Sequence, residues 1–258
     1  MPEKARFLVT PSKLVQTFAD RHGVDEAELA LPATAVVTPV APLFRKLIRL
    51  LKGEPIPAWK WKSPLFHEFS LGGGEKGVIA CCPVGAPNVA VAIEELAAFG
   101  VRTVYFFGLA GGIGERVSAG DLILPRYAHV GEGTTRYYGN APLSFADGGL
   151  LATVRRALER ETGHAPAACP VWSTDALYRE SADIVERFAR LGAGGVDMET
   201  SAVFSVAAAL SVRAMALLWI SDLLTPGGWS PHFHKDTLRN SIDRYLRAFA
   251  AFLRKGEE

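Results

Sequence analysis

Apolar residues recur along this chain in two patterns, which predict the helices and strands of an α/β protein. Where they return every three to four residues they mark one buried helix face, and such helices are predicted at 12–22, 42–52, 89–99, 150–162, 181–191 and 234–254. Short apolar runs predict strands, here at 34–38, 65–71, 77–82, 103–107, 121–125, 169–173 and 214–220. The segment 127–147 is predicted to form loops. No repeat or linker interrupts the pattern, which predicts a single domain over residues 1–258.

The stretch 194–224 carries two candidate carboxylates. Apolar residues follow Glu199 at helical spacing, so Glu199 is predicted at the head of a buried helix. The apolar run 214–220 predicts a strand covered on both faces, and this strand is predicted to end on Asp222. Ligands in open α/β sheets bind beyond the carboxyl ends of strands, so the pair predicts a site. Taken singly, either carboxylate is more typical of a helix cap or a first-turn acid.

Composition excludes several classes of partner. The net charge of +1 argues against a nucleic-acid or acidic-membrane partner, and the Trp- and Lys-rich segment 53–63 is interpreted as an edge strand or a loop packing against a neighbouring subunit. Three cysteines, two of them adjacent, form neither a disulfide framework nor a zinc motif and favour a reducing compartment. The N-terminal residues MPEKARFLVT lack the apolar core of a signal peptide, and the apolar window 203–220 is broken by Arg213, so it is not expected to span a membrane. These features predict a soluble, cytoplasmic protein.

The sequence GLAGGIG at 108–114 follows a predicted strand and is interpreted as a glycine-rich turn. Such glycines let the backbone approach a ligand, but they are equally typical of a bend between two strands. A dinucleotide-binding fingerprint would need a third glycine and a crossover helix. Only six residues, ERVSAG, separate Gly114 from the next predicted strand, so that interpretation is rejected and no cofactor is expected.

The segment 225–234, between the last strand and the last helix, is rich in Pro, Gly and aromatic residues. It is predicted either to close over a ligand, with Trp229 or Phe233 stacking on it, or to be a surface loop. His232 and His234 lack a third ligand at a suitable spacing, so no metal site is predicted.

Four motifs in this order resemble one known family, that of the purine-nucleoside and uridine phosphorylases and the related methylthioadenosine/S-adenosylhomocysteine nucleosidases. They are IEEL at 93–96, GLAGGIG at 108–114 with AGDLILP at 119–125, VDMETSAV at 196–203 and ISD at 220–222. The resemblance implies an α/β class fold, a three-layer α/β/α sandwich with a mixed, barrel-like central sheet. It also implies a homo-oligomer, a dimer or a hexamer, acting on a small-molecule nucleoside.

The resemblance also assigns roles to residues of the predicted site. Glu199 would accept hydrogen bonds from the ribose hydroxyls, and Met198 would pack under the sugar. Asp222 matches the purine branch and would protonate or hydrogen-bond the base as the catalytic acid, a step worth ~10²–10⁴ in rate. Ser221, Thr174 and Tyr178 would complete the base pocket.

The nucleophile side departs from the family pattern. The family's phosphate-binding Gly-Asp-Pro-x-Arg loop corresponds to Val40–Phe44 in this chain, a second arginine is replaced by Phe106, and a serine or threonine by Leu109. Phenylalanine cannot supply the charged, forked donors of arginine. The remaining candidates on this side are Gly108, Gly111 and Arg45. Phosphorolysis, with inorganic phosphate as co-substrate, is the family default. Hydrolysis is the close alternative, and a nucleoside-binding module without turnover is a third.

Overall fold

One mixed sheet of twelve strands runs through the computed structural model, which describes residues 7–63, 66–225 and 227–255. The strands are β1 Thr34–Thr38, β2 Glu54–Pro55, β3 His67–Ser70, β4 Lys76–Cys81, β5 Thr103–Ile113, β6 Leu122–Ile123, β7 Tyr127–Gly131, β8 Leu143–Phe145, β9 Val171–Thr174, β10 Gly195–Asp197, β11 Arg213–Thr225 and β12 Gly228–Pro231. Nine of them follow the order β2-β3-β4-β1-β5-β10-β9-β7-β8. The strand β11 pairs with β5, β6 and β12.

The long strand β5 is the axis of this sheet. Its first half pairs in parallel with β1, its last residues pair antiparallel with β10, and β11 runs parallel to it over nearly its whole length. On the far side, β6 pairs with β11 and is bridged at Ile123 to Ala167, just before β9. The strands β5, β10, β9, β6 and β11 therefore curl toward a ring, which agrees with the barrel-like sheet that the resemblance implies.

Helices cover both faces of the sheet. They are α1 Pro11–His22, α2 Ala41–Leu51, α3 Ala86–Ala98, α4 Gly148–Thr162, α5 Ala182–Arg190, α6 Thr200–Ala209 and α7 Asp236–Lys255. The apolar faces of α1, α3 and α6 pack in one core cluster, and those of α2, α4 and α7 pack in a second cluster on the opposite face. The arrangement is the expected three-layer α/β/α sandwich.

The predicted helices are confirmed, with ends within three residues of the predicted ones. Local signals set these ends. Thr10 caps α1 by accepting a hydrogen bond from the Lys13 amide at 3.3 Å, and Gly23 ends the helix in the left-handed region at φ 65°. Asp147 caps α4 through the Leu150 amide at 2.7 Å.

The predicted turn at 108–114 is wrong, because β5 continues through it to Ile113. The glycines there make room for neighbouring side chains. A Cβ on Gly108 would lie 2.9 Å from Leu218 Cδ2, and one on Gly112 would lie 2.7 Å from Leu223 Cδ2. The glycines are therefore required by the close packing of β5 against β11, and the chain turns only at Gly114, where φ is 73°.

Four other predictions, at or next to strands, need correction. The segment predicted as loops, 127–147, contains β7 and β8, which are strands because β7 pairs with both β8 and β9. The strand predicted at 121–125 is reduced to β6, and the strand predicted at 214–220 extends through Asp222 to Thr225. The 225–234 segment contributes β12, which pairs with β11 as a hairpin.

The Trp-rich segment 53–63 is anchored to its own chain by Trp59. Trp59 is fully buried, and its ring lies 5.0 Å from that of Phe66 and 5.1 Å from that of Phe99. Trp59 therefore packs within its own chain and β2 forms an edge strand, while the expected contact of this segment with a neighbouring subunit stays a prediction. The predicted hairpin of β3 and β4 is confirmed, although Leu65, its predicted first residue, lies outside the described residues. None of the described helices is long and apolar enough to cross a membrane.

Candidate active site

Glu199 lies at the N-terminal end of α6, where the chain leaves β10. Its side chain is 4% exposed. One carboxylate oxygen accepts a hydrogen bond from the Gly85 amide at 2.6 Å, and the other accepts one from the Met198 amide at 3.3 Å. Burial, and secondarily the charge of Asp197, raise the pKa of Glu199 to about 7. A buried carboxylate with two amide donors still has free lone pairs, which a polar ligand can use.

Asp197, two residues earlier, has a structural role. Its carboxylate accepts hydrogen bonds from the Ser173 hydroxyl at 2.6 Å, from the Thr200 amide at 2.9 Å and from the Thr200 hydroxyl. The Ser201 amide in turn donates to the Ser173 hydroxyl at 2.9 Å. Burial raises the pKa of Asp197. These bonds tie the turn between β10 and α6 to β9 and thereby fix where the Glu199 backbone lies.

Asp222 follows an irregularity in β11. The pairing of β11 with β5 shifts register between Ile220 and Asp222, which is the mark of a β-bulge. One Asp222 oxygen accepts the Ser221 hydroxyl at 2.7 Å, and the other accepts the indole N–H of Trp229 at 2.8 Å. Trp229 reaches Asp222 because β12 folds back on β11 as a hairpin.

The strand register relates the two carboxylates to each other. Gly111 of β5 pairs with Val196 on one side and with Asp222 on the other, and Glu199 follows Val196 by three residues. A Cβ on Gly111 would lie 3.2 Å from an Asp222 oxygen and 3.3 Å from Val196 Cγ1. Asp222 and the start of the Glu199 turn thus flank Gly111, two strand spacings or roughly 10 Å apart.

The other residues predicted to contact the sugar and the base differ in how far they are exposed to solvent. Met198 is half-buried beside Glu199, while Thr174 is buried at the end of β9 and accepts the Ala176 amide at 3.2 Å. Ser221 is buried and bonded to Asp222. Tyr178, in the one-turn 3₁₀ helix Leu177–Arg179, is 95% exposed, so its ring forms no wall of a closed pocket within this chain.

The nucleophile side is apolar. Phe106 is fully buried in the core between β5 and the α3–α6 layer, and Phe44 is on the buried face of α2, in the second core cluster. Arg45 is exposed on α2. Burial raises the pKa of the Cys81 thiol, and the positive charge of Arg45 offsets part of that rise. Burial is also the main cause that raises the pKa of Cys82 to about 12, with contributions from Cys81 and Glu199. Cys81, the last residue of β4, thus lies within electrostatic reach of Arg45, and Cys82 within that of Glu199.

Sequence reasoning assigned no role to two residues that the structure brings to the carboxylates. The Gly85 amide is held at Glu199 by a backbone with φ 108°, and the glycine in PVGAPN was the one available signal. Glu180 is half-buried at the end of the 3₁₀ helix Leu177–Arg179. Burial and then the Asp222 charge raise the pKa of Glu180 to about 7. No sequence signal marks Glu180, because its burial depends on how α5 docks.

Two other features contain neither Glu199 nor Asp222, although both are joined to β11 near Asp222, through the Gly120 amide to the Ile220 carbonyl at 2.8 Å and the His232 amide to the Ser221 carbonyl at 3.0 Å. A cavity of about 320 Å³ borders the first half of α7 and is lined by Ala119, Gly120, Asp121, Thr237, Asn240, Ser241 and Arg244. The ring of His232 contacts the Ser230 hydroxyl at 3.1 Å. Within the described residues, no group of three or more His, Cys, Asp or Glu side chains could hold a metal ion.

Comparison with solved structures agrees with the fold. An AMP nucleosidase from Bacteroides thetaiotaomicron superposes with a TM-score of 0.69 at 19% identity, covering 94% of this chain and 97% of its own. A uridine phosphorylase from Vibrio fischeri superposes with a TM-score of 0.70 at 22% identity, covering 88% and 92%.

Sequence relatives agree as well. A DeoD-type purine nucleoside phosphorylase from Clostridium perfringens is 29% identical over 154 residues, 58% of this chain and 65% of the relative. One from Clostridium beijerinckii is 26% identical over 200 residues, 76% of this chain and 83% of the relative. The match to the first relative thus spans just under two thirds of that protein's length. A family model described as the phosphorylase superfamily matches residues 34–254, and since that match covers most of the chain, the protein belongs to this superfamily.

Proposed function

We propose that this protein cleaves the N-glycosidic bond of a purine-type nucleoside. The observation that carries the proposal is the arrangement of Glu199 and Asp222 on either side of Gly111. Cleavage of this bond builds positive charge on the sugar and negative charge on the departing base. A carboxylate at the sugar and an acidic group at the base therefore stabilise opposite ends of the same transition state.

In this proposal Glu199 accepts hydrogen bonds from the ribose hydroxyls. Its pKa of about 7 means that the carboxylate, the form with full acceptor capacity, predominates above neutral pH. The half-buried Met198 packs under the sugar. Asp222 hydrogen-bonds the purine, with Ser221 fixing its orientation and Thr174 lining the base pocket. Tyr178 contributes to base binding if another chain covers its exposed ring.

Two molecules are candidates for the nucleophile that takes up the sugar: inorganic phosphate and water. Phosphorolysis, with inorganic phosphate as co-substrate, is supported by the activity named for the DeoD-type relatives. Hydrolysis is supported by the packing of Phe106 and Phe44, since neither buried phenyl ring can bind a phosphate dianion. Arg45, whose charge acts on Cys81, is the cation proposed for this side, and any phosphate there would depend on it together with the backbone at Gly108 and Gly111. The proposed reaction needs no cofactor.

The protein is further proposed to be a homo-oligomer, a dimer or a hexamer. Several apolar side chains are exposed in the isolated chain, among them Tyr137, Leu177 and Tyr178, and burial of such side chains between subunits would stabilise an oligomer. A cytoplasmic location is proposed because Cys81, Cys82 and Cys169 are all unpaired.

A panel of nucleosides, incubated with the protein in the presence and absence of phosphate, tests the proposal. Release of the base that requires phosphate supports phosphorolysis, and release at a rate independent of phosphate supports hydrolysis. Binding of a nucleoside without any release indicates a module that no longer turns over and contradicts the proposed activity.

A further inference from the structure

Trp229 contacts the carboxyl group that is proposed to hydrogen-bond the base. In the hairpin of β11 and β12, Asp222 pairs with Pro231. Trp229 precedes Pro231 by two residues, so it is the diagonal neighbour of Asp222 on the same face of the sheet. A long aromatic side chain can bridge such a diagonal, and the indole N–H of Trp229 donates to an Asp222 oxygen at 2.8 Å. Trp229 is therefore part of the candidate site.

The hairpin that carries Trp229 is held at both of its ends. At the tip, the Thr225 hydroxyl donates to the Gly228 carbonyl at 3.0 Å, and Gly228 turns the chain with φ at 113°, a value that favours glycine. At the open end, the His232 amide donates to the Ser221 carbonyl at 3.0 Å. These bonds fix β12 against β11 and thereby fix where the Trp229 side chain begins.

The Asp222 carboxyl group keeps room for a ligand beside its donors from the chain. One oxygen accepts the Ser221 hydroxyl at 2.7 Å, and the other accepts the Trp229 indole. The oxygen bonded to Trp229 also lies toward Gly111, since a Cβ on that glycine would be 3.2 Å from it. Each carboxyl oxygen carries two lone pairs, so each can still accept a bond from a base. The two donors therefore orient the carboxyl group without filling it.

The ring of Trp229 is open to solvent next to this carboxyl group. The residue is 62% exposed although its N–H is bonded, and the ring of Phe233 lies 6.2 Å away at an angle of 52°. Because the indole N–H reaches Asp222, a base that is bonded to Asp222 comes within reach of the exposed ring. Aromatic side chains bind bases by stacking on their flat faces.

We propose that Trp229 recognises the base in two ways: its N–H orients Asp222, and its exposed ring stacks on the flat face of the base. This inference rests on the proposed function and deepens it, because it makes a planar aromatic base a requirement of the ligand. Of the two aromatic residues predicted from the sequence to stack on a ligand, Trp229 is chosen because it also bonds to Asp222. Trp229 is a positioning and specificity residue, and no proton passes through it.

Calorimetric titration with a purine-like C-nucleoside, whose carbon–carbon glycosidic bond cannot be cleaved, measures both contributions. Trp229→Phe keeps an aromatic ring and removes the N–H, so we expect binding to weaken about 3- to 10-fold. In the Asp222→Ala background the same substitution should change binding by less than about twofold, because the N–H then has no carboxyl group to orient. Trp229→Leu also removes the ring and should weaken binding by a further factor of about ten in either background.

Fluorescence detects the contact between the ring and the base directly. Trp59, Trp172 and Trp219 are buried, whereas Trp229 is exposed. A base that stacks on an indole quenches its emission, so we expect the C-nucleoside to quench the parent protein and to leave Trp229→Phe nearly unquenched. Quenching of the same size in both proteins would show that the ring of Trp229 does not contact the base.

Two controls make the outcome specific. Phe145, on β8, is 63% exposed and lies beside Tyr127 at the start of β7, so Phe145→Leu removes an exposed aromatic ring away from Asp222 and should bind as the parent does. The subunit number of each variant is measured by sedimentation, because exposed aromatic side chains are also common at subunit interfaces. A changed subunit number in Trp229→Leu would assign the ring to such an interface and would overturn its stacking role.

Equal losses from Trp229→Phe with and without the Asp222 carboxyl group would overturn the orienting role, and parent-like binding by both Trp229 variants would overturn the inference altogether. Either result leaves the proposed function intact. A parent protein that binds the C-nucleoside in the expected way but releases no base from a purine nucleoside would contradict the proposed function alone. A parent protein that neither binds the C-nucleoside nor releases a base would overturn both.

Discussion

The two halves of the candidate site are built from opposite kinds of side chain. On the sugar and base half, Glu199, Asp197 and Asp222 are each held by two or three hydrogen bonds from the chain. On the nucleophile half, Phe106 and Phe44 are buried in the two apolar clusters. The chain therefore has buried carboxyl groups where a nucleoside is proposed to bind. Where the family resemblance predicts a phosphate-binding site, it has an ordinary apolar core.

Maintaining the polar half has a cost in stability. Burial raises the pKa values of Asp197, Glu199 and Glu180, which means that folding disfavours their charged forms. Core positions of this kind are retained when a site needs them. The apolar half has no such cost, since Phe106 simply adds to the core.

The largest effect is expected from Asp222→Asn, which removes the charge at the base end. We expect kcat/KM for an unmodified purine nucleoside to fall by ~10²–10⁴-fold, because the departing base loses its acidic partner. The half-buried position should leave thermal unfolding nearly unchanged. Asp243→Asn, which removes a carboxylate from the Lys46 ion pair on α7, is the matched control. Full activity in Asp222→Asn would show that the acid is wrongly assigned.

The second effect concerns stability. The pKa of Glu199 is about 7 in the folded chain and 4.5 ordinarily, so the folded state binds the proton more tightly than the unfolded state. Stability from this group is therefore highest below about pH 4.5 and falls as the pH rises toward about 7. Relative to the parent, Glu199→Gln should gain up to about 3 kcal/mol between pH 5 and 8.

Denaturant unfolding of both proteins at several pH values measures this gain. A glutamine keeps an acceptor for the Gly85 amide, so the comparison isolates the charge. A stability difference that does not change with pH would show that burial does not raise the pKa of Glu199.

The third effect concerns sugar recognition by the same variant. A charge-assisted hydrogen bond is worth about 1.5–3 kcal/mol, so Glu199→Gln should weaken binding of a riboside by roughly 10- to 100-fold. A nucleoside that lacks the contacted hydroxyls should be affected much less. Calorimetric titration of a ribonucleoside and its dideoxy analogue measures both values, and equal losses on the two ligands would contradict the assignment of Glu199 to the ribose.

The smallest effect is expected on the apolar half. The nucleophile half offers one exposed arginine, Arg45, in place of the arginines that the family resemblance predicts for phosphate binding. Millimolar phosphate should therefore change the rate of base release by less than about tenfold. Any stimulation should disappear in Arg45→Ala and persist in Arg49→Ala, which removes an exposed arginine one turn further along α2. Phosphate dependence that survives Arg45→Ala would mean that an anion site lies elsewhere in the protein.

The same contrast explains how far the sequence could be interpreted. The run 214–220 predicts a strand because it is apolar on both faces. Glu199 and Asp222 are identified from the sequence because Glu199 begins one apolar pattern and Asp222 ends another. By contrast, β7 and β8 have no strong pattern of their own and exist because β9 pairs with β7. The glycines of β5 were misinterpreted as a turn, since the close packing that requires them comes from β11.

The bulge in β11 and the burial of Glu180 likewise depend on contacts between distant segments, and no local signal encodes them. The family resemblance supplied the roles of the site residues. These roles, and the prediction of a single domain over residues 1–258, stay predictions.

A crystal structure of Asp222→Asn with an unmodified purine nucleoside tests the central claim most directly, because slow cleavage should preserve the ligand. We predict that the ribose hydroxyls lie within hydrogen-bond distance of Glu199 and that the purine edge faces position 222 and Trp229. A nucleoside bound in the cavity beside α7, or bound with both Glu199 and position 222 free of contact, would contradict the account.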